Sequence, residues 1–499
     1  MNAYAYFARA FAPRLDATLF ESDTGERYTY ADLERETARV ASFLTRLGLT
    51  AGDRVAAQID KSPQGLFLYL GCLRAGIVFL PLNTAYQKGE LGYFIGDAEP
   101  RVVVCRPAMH DTFKGLVHPD MTLMTLDEHG RGTFTDALSG ATNTFATADV
   151  GDDALAVLIY TSGTTGRSKG AMVTHGNISA NAQALKDTWR ITERDVLIHA
   201  LPVFHVHGLF VAFHTILLAG AKILFHRKFD GAAVMRDLPR ATMLMGVPTF
   251  YVRLLQEPGL TREATAHMRL FVSGSAPLLI DTFGEWQERT GHTILERYGM
   301  SEAGMITSNP YEGERRGGTV GFPLPGNRVR VRDGERECGP DDPGGIEISG
   351  PNVFAGYWRM PERTREEFTT DGWFKTGDVG QWSTDGYLSI VGRAKDLIIS
   401  GGYNVYPKEI ELVLDQLPGV VESAVVGVPH PDFGEAVTAV IVKGKACTLD
   451  EAAVIAHVKS QIANYKVPKR VAFVDDLPRN AMGKVQKNVL REQYSKDVP

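Results

Sequence analysis

The chain has 499 residues, of which 44% are hydrophobic and 22% charged, with a net charge of −6 and a pI near 6.1. That length exceeds one simple core, so two or three domains are expected. The composition is that of a soluble globular protein, and the acidic balance gives no general reason to expect nucleic acid.

The N-terminal "MNAYAYFARAFAPRLDATLF" is weakly amphipathic but has no continuous apolar run, so it makes a poor signal peptide. "ADLERETARVASFLTRLG" carries apolar residues at helical spacing and ends in Gly48, a helix stop. "DRVAAQI" and "RVVVC" read as short buried strands, and "LAVLIY" (155–160) as a strand running into a Gly- and Thr-rich loop. "HGNISANAQALKDTW" follows as a helix with Asn177 as its candidate cap. "AKILFH" and "ATMLMG" are further strands, and "PTFYVRLLQ" begins a helix. This alternation predicts α/β layers with largely parallel sheets, whose binding loops sit at the carboxyl ends of strands.

After Pro323 turn signals crowd in, with short strands such as "GIEIS", and a small β-rich subdomain is expected. A compact last unit follows: helix "PKEIELVLDQL", strands "VESAVVGV" and "AVTAVIV", helix "LDEAAVIAHVKSQI" and strand "RVAFVD", with a boundary near Lys395. Cys72, Cys105, Cys338 and Cys447 form no CxxC pair, so no zinc knuckle or disulfide framework is expected, and the usage suits a reducing cytoplasm. No run of about 18 apolar residues occurs, so no membrane span is expected.

The loop in "IYTSGTTGRSKG" (159–170) combines glycines, which let backbone N–H groups converge on an anion, with hydroxyl donors and Lys169. A flexible linker would need neither the preceding apolar strand nor the lysine. Ser168 stands where a Walker A pattern counted from Gly163 requires glycine, so that class of ATPase is disfavoured. "GMSEAG" (299–304) approximates a GxSxG nucleophile elbow around Ser301, which leaves a serine esterase as the rival reading, although Ala303 replaces the last glycine. "HVH" (205–207) could suggest a metal, but no third ligand accompanies it in sequence.

That loop, "YGMSE" (298–302), "FKTGD" (374–378), "GRAKD" (392–396) and "PRNAMGK" (478–484) occur in one order across nearly the whole chain. Together they resemble the acyl-adenylate-forming superfamily of acyl-CoA synthetases, luciferases and peptide-synthetase adenylation domains. The resemblance implies a large N-terminal adenylation domain over residues 1–394, with stacked, mostly parallel sheets and a β-rich subdomain at about 320–394. A mobile α+β C-terminal domain is implied over 395–499, hinged at Lys395. It implies ATP, Mg²⁺ and coenzyme A. Thr161, Ser162, Gly163, Thr164, Thr165 and Lys169 would hold the β- and γ-phosphates. Gly274, Ser275, Ala276 and Pro277 would line one side of the adenine, with Arg297 and Tyr298 on the other, and Gly299 and Met300 would belong to the same nucleotide site. Ser301 would contact the α-phosphate, and Glu302 with Thr165 would hold the metal. Asp378 and Arg393 would hold the ribose. Lys484 would drive adenylation, and a protein lysine acetyltransferase acting there is an implied partner. Gly401 and Gly402 would flank the pantetheine path, and His205 would gate the thiol.

"LPVFHVHGLFVA", "TMLMGVPTFYVRLLQ" and "YGMSEAGMITSNPY" are similar to the malonyl-CoA synthetases within that superfamily, relatives of the coumarate ligases. This implies malonate as the acid, with methylmalonate the near alternative and another short-chain or aryl acid the wider one. Arg253 would clamp the distal carboxylate with parallel bonds. Val206, where several relatives carry Thr, and Met305 would close a small pocket. Fatty and aryl acids would be rejected because they would leave a buried Arg253 without a partner.

Overall fold

The computed structural model describes residues 1–161, 168–400, 403–430, 433–444, 447–480 and 483–496, with only the backbone of Asn404. The chain divides into two compact units, one of Met1–Arg328 with Ile348–Phe374 and the other of Val329–Glu347 with Lys375–Pro499.

Among the described residues, nine strands form the larger sheet of the first unit. Its interior runs Thr18–Ser22, Lys222–Phe225, Val196–His199, Met243–Gly246, Leu270–Ser273 and Leu295–Met300, every neighbouring pair parallel. Arg27–Thr29 at one edge, and Gly304–Ser308 with Phe322–Pro323 at the other, pair antiparallel. A sheet of six described strands runs Thr122–Thr125, Val102–Cys105, Arg54–Gln58, Val78–Pro81 and Leu155–Thr161, all parallel, then Lys169–Thr174, antiparallel.

The apolar runs are explained by burial on both faces. Val55, Val102, Val104, Met243 and Met245 join one core with the helices, while Ala56, Val103 and Cys105 face a second core and Leu244 a third. Burial pushes the Cys105 thiol up to about 11, so it is an inert packing group.

The second unit carries a sheet in the order Arg336–Glu337, Arg328–Asp333, Gly344–Ser349, Phe374–Trp382, Leu388–Arg393. Its C-terminal part pairs Val420–His430 with Gly434–Lys443 antiparallel, and Arg470–Val474 runs parallel to the latter. Helices Pro407–Leu414 and Glu451–Gln461 cover this sheet with Ile410, Leu414, Val454 and Val458. The architecture is the α/β class with large parallel sheets that the sequence predicts.

One local expectation needs correction, and one strand went unread. The helix His175–Thr188 is capped by Thr174, whose side chain accepts from the Asn177 N–H, while Asn177 returns the bond to the Thr174 N–H. The stretch after the Thr-rich loop, to which the sequence reading assigned no element, is the strand Lys169–Thr174. Its outer edge pairs with the 355–358 segment, and a Cβ at Gly170 would lie 3.0 Å from Leu158 and 3.2 Å from Trp358.

Candidate active site

In a parallel sheet every strand ends on the same side, and loops that follow those ends converge. Here the strands ending at His199, Gly246, Ser273 and Met300 are all of that kind, so the segments 200–208, 247–253, 274–277 and 301–303 share one rim.

Thr161 ends its strand with Oγ1 3.1 Å from Oε1 of Glu302, to which the Tyr357 hydroxyl also donates, at 3.2 Å. Glu302 is buried, and burial raises its carboxyl pKa against the opposing effect of those bonds and of Lys169. Lys169 Nζ lies 3.2 Å from Glu367 and 4.2 Å above the Tyr357 ring. So Thr161, Lys169 and Glu302 come together around Tyr357, a residue that carries no motif in the sequence. Ser162, Gly163, Thr164 and Thr165, expected to hold phosphates, lie outside the described residues.

Ser275 adopts φ +71°, a left-handed conformation costly for a residue with a side chain. Its hydroxyl is 3.3 Å from Nδ1 of His207. Beside it, a Cβ at Gly274 would lie 2.4 Å from the guanidinium carbon of Arg297, so only glycine leaves that side chain its place. Arg297 is 4% exposed, and its Nε and Nη2 have no hydrogen-bond partner among the described residues. Burial pulls its pKa down to about 9. His207 is buried too, its Nε2 unpartnered among the described residues, and burial followed by the Arg297 charge keeps it neutral. The ring belongs to a π-helical turn, His207–Phe213, a form frequent at functional sites.

Met305 is buried with its methyl against Gly299, where a Cβ would sit 2.5 Å away. Gly299 and Met300 pair with Met305 and Gly304, so "GMSEAG" is the turn of a β-hairpin. A nucleophile elbow requires a strand-to-helix turn, so Ser301 lacks the setting of an esterase serine. No group of three His, Cys, Asp or Glu among the described residues could hold a metal, His205 and His207 included.

Arg253 departs from expectation. It lies on the helix Pro248–Leu255, whose Phe250, Tyr251, Leu254 and Leu255 are buried, but Arg253 itself is exposed. The argument that fatty acids are refused by a buried Arg253 does not hold for this chain. Burial, and nitrogens without partners among the described residues, belong to Arg297.

In the second unit Asp378 and Arg393 face each other across paired strands, with Arg393 Nε 2.6 Å from Oδ1 of Asp378. Lys395 follows on a short 3₁₀ turn, Ala394–Asp396. Around Lys484 the Asn480 N–H donates to the Lys484 carbonyl, the Lys484 N–H donates to Asn480 Oδ1, and Gly483 takes φ +74°. Desolvation and then the nearby Arg393 charge lower the Lys484 pKa, an effect tempered by the solvent its side chain still reaches. Asp378, Arg393 and Lys484 thus act on one another electrostatically. Gly401 and Gly402 lie outside the described residues.

Known proteins resemble this chain along nearly its whole length. A solved structure of ATP-bound MatB from Rhodopseudomonas palustris is 56% identical over 100% of both chains, with a TM-score of 0.97. The malonate–CoA ligase of Arabidopsis thaliana is 33% identical over 525 residues, 94% of this chain and 85% of that one. The feruloyl-CoA synthase of an Amycolatopsis species is 36% identical over 476 residues, 94% of each chain. Residues 7–358 match the AMP-binding enzyme family and residues 409–484 its C-terminal domain, and the chain belongs to that family.

Proposed function

We propose that the protein is an AMP-forming acid–CoA ligase whose acid is malonate. The observation that carries the choice of acid is Arg297, a buried guanidinium with two nitrogens unpartnered among the described residues, beside the neutral His207. An uncompensated buried cation is costly, and a ligand carboxylate would compensate it. A dicarboxylate brings one carboxylate to be activated and one for that cation. The malonate–CoA ligase relative supports this reading, and the feruloyl-CoA synthase relative stands for the wider alternative. Arg253, exposed on the same rim, would reach a carboxylate from the solvent side, while the backbone of Arg297 and Tyr298 stays with the adenine.

A carboxylate is a poor electrophile, so a thiol cannot displace its oxygen. In the first half-reaction one malonate oxygen attacks the α-phosphorus of ATP, and the bond to pyrophosphate breaks. In the second, the coenzyme A sulfur attacks the acyl carbon, losing its proton, and AMP leaves. One hard step becomes two through the mixed anhydride. Both gather negative charge, so positioning and electrostatics supply most of the catalysis. Thr161 and Lys169 would orient the polyphosphate, Asp378 would accept from the ribose hydroxyls, and Lys484 would bridge the acid and the α-phosphate. Glu302 is a buried carboxylate with two hydroxyls on one oxygen, which suits a magnesium ion that takes its remaining ligands from phosphates. Such an ion, held by Glu302 and Thr165, would neutralise polyphosphate charge.

A hinge at Lys395 would let Lys484 leave after adenylation and bring the 400–404 loop to the acyl group, with His205 at the thiol's entrance. An acetyl group on Lys484 would cancel the charge that the first step needs. The test is a reaction run in two stages. Malonate and ATP without coenzyme A should give pyrophosphate and malonyl-AMP; adding coenzyme A should then give malonyl-CoA and AMP. Thioester formation without pyrophosphate release would defeat the proposal.

A further inference from the structure

Lys61 is a buried lysine to which the site described above gives no role. It lies between the strand Arg54–Gln58 of the six-stranded sheet and the helix Pro63–Arg74. It is 8% exposed, with Nζ 4.6 Å from the Phe225 ring centroid. Nζ lies 2.8 Å from Nδ1 of His199, 2.7 Å from the His199 carbonyl oxygen and 2.8 Å from that of His226. These carbonyls close the parallel strands Val196–His199 and Lys222–Phe225 at the rim of the nine-stranded sheet. One side chain therefore ties the two large sheets at their carboxyl ends.

The contact continues. His199 Nε2 lies 2.9 Å from the carbonyl oxygen of Gly208, in the π-helical turn. A Cβ at Gly208 would lie 2.0 Å from the Pro202 carbonyl oxygen, so the segment is folded tightly on itself there. Between these two anchors run His205, Val206 and His207.

A count of hydrogens fixes the charge. The four contacts need four N–H hydrogens. A lysine ammonium with a neutral imidazole supplies them, and so does a lysine amine with an imidazolium. Either way the pair carries one positive charge. Removing that charge leaves two lone pairs facing each other, at Lys61–His199 or at His199–Gly208.

We propose that Lys61 and His199 are positioning residues for the acid pocket, Lys61 pinning the strand ends and His199 handing that constraint to the segment that carries His205, Val206 and His207. The inference rests on the reading that this segment lines the acid site. Alkaline loss of the shared proton then loosens the segment. Burial opposes the charge on both groups and lowers the pKa of each; Asp23 favours the charge on Lys61, His226 opposes it on His199, and a charged His199 would in turn oppose charge on His207. His226 is itself tied to Asp237 through Nε2 at 2.7 Å.

The test uses full-length protein, malonate-dependent ATP–pyrophosphate exchange and thermal unfolding. Lys61→Met should raise KM for malonate roughly ten-fold or more, with KM for ATP held within about two-fold. His199→Phe should do the same. His199→Gln offers an oxygen to Lys61 and an N–H to Gly208, and should keep KM for malonate within about three-fold of the parent. The parent's KM for malonate should climb at alkaline pH, and in Lys61→Met that climb should be absent. An unchanged malonate KM in Lys61→Met, or equal rises in both KM values, would overturn the proposal. If Lys61→Met does not fold, equal losses in His199→Gln and His199→Phe would overturn it instead. If malonate supports no exchange in the parent protein, the choice of acid has failed, and the same variants are judged with the acid that does support exchange.

Discussion

Arg297 is the most exposed point of the account, because it predicts opposite changes in stability and activity. Burial pulls its pKa down to about 9, still well above neutrality, so the charge is present at pH 7 and so is its cost. At ~1.4 kcal/mol per pH unit, holding the cation there costs on the order of 5 kcal/mol. Arg297→Gln removes the charge and keeps a polar side chain of similar reach. Part of that cost returns as stability, offset by lost packing of the arginine stem, so a gain of about 1–2 kcal/mol is expected. With malonate the distal carboxylate loses a buried charged partner, roughly 2–3 kcal/mol, or about 30- to 150-fold in kcat/KM. Propionate, which has no second carboxylate, should lose less than about five-fold. The assays are thermal unfolding without ligand and ATP–pyrophosphate exchange with each acid. A lower unfolding midpoint combined with an unchanged malonate-to-propionate ratio would refute the reasoning.

Lys484→Ala should abolish exchange yet leave thioester formation from supplied malonyl-AMP nearly intact; equal loss in both steps would contradict a lysine used only for adenylation. Asp378→Ala strips Arg393 of its partner at 2.6 Å and removes the acceptor proposed for the ribose, so KM for ATP should rise at least about ten-fold while KM for malonate holds. Gly208→Ala forces a Cβ to within 2.0 Å of the Pro202 carbonyl oxygen, and calorimetry should register a loss of about 2 kcal/mol.

The parallel strands were legible because both of their faces are buried and their sequences are nearly continuous apolar runs, as in "RVVVC" and "LAVLIY". The strand Lys169–Thr174 was not, since it opens with a lysine and a glycine whose role is close packing against Trp358. Gly170 reads as loop chemistry until the neighbour that crowds it is known. Asp378 and Lys484 were visible through motif order. Tyr357, His199 and Lys61 were invisible, because an isolated lysine in "IDKSP" reads as solvated and only the fold buries it against two carbonyls and an imidazole. Arg253 shows the opposite failure: its place on the helix was legible from sequence, its exposure was not.

The central claim, that this family member activates malonate, is tested most directly by comparing kcat/KM for malonyl-CoA formation with that for acetate, methylmalonate, ferulate and palmitate under one ATP and coenzyme A concentration. Malonate should lead, methylmalonate should follow, and the monocarboxylates should trail malonate by at least about a hundred-fold. Ferulate or palmitate overtaking malonate would contradict the account.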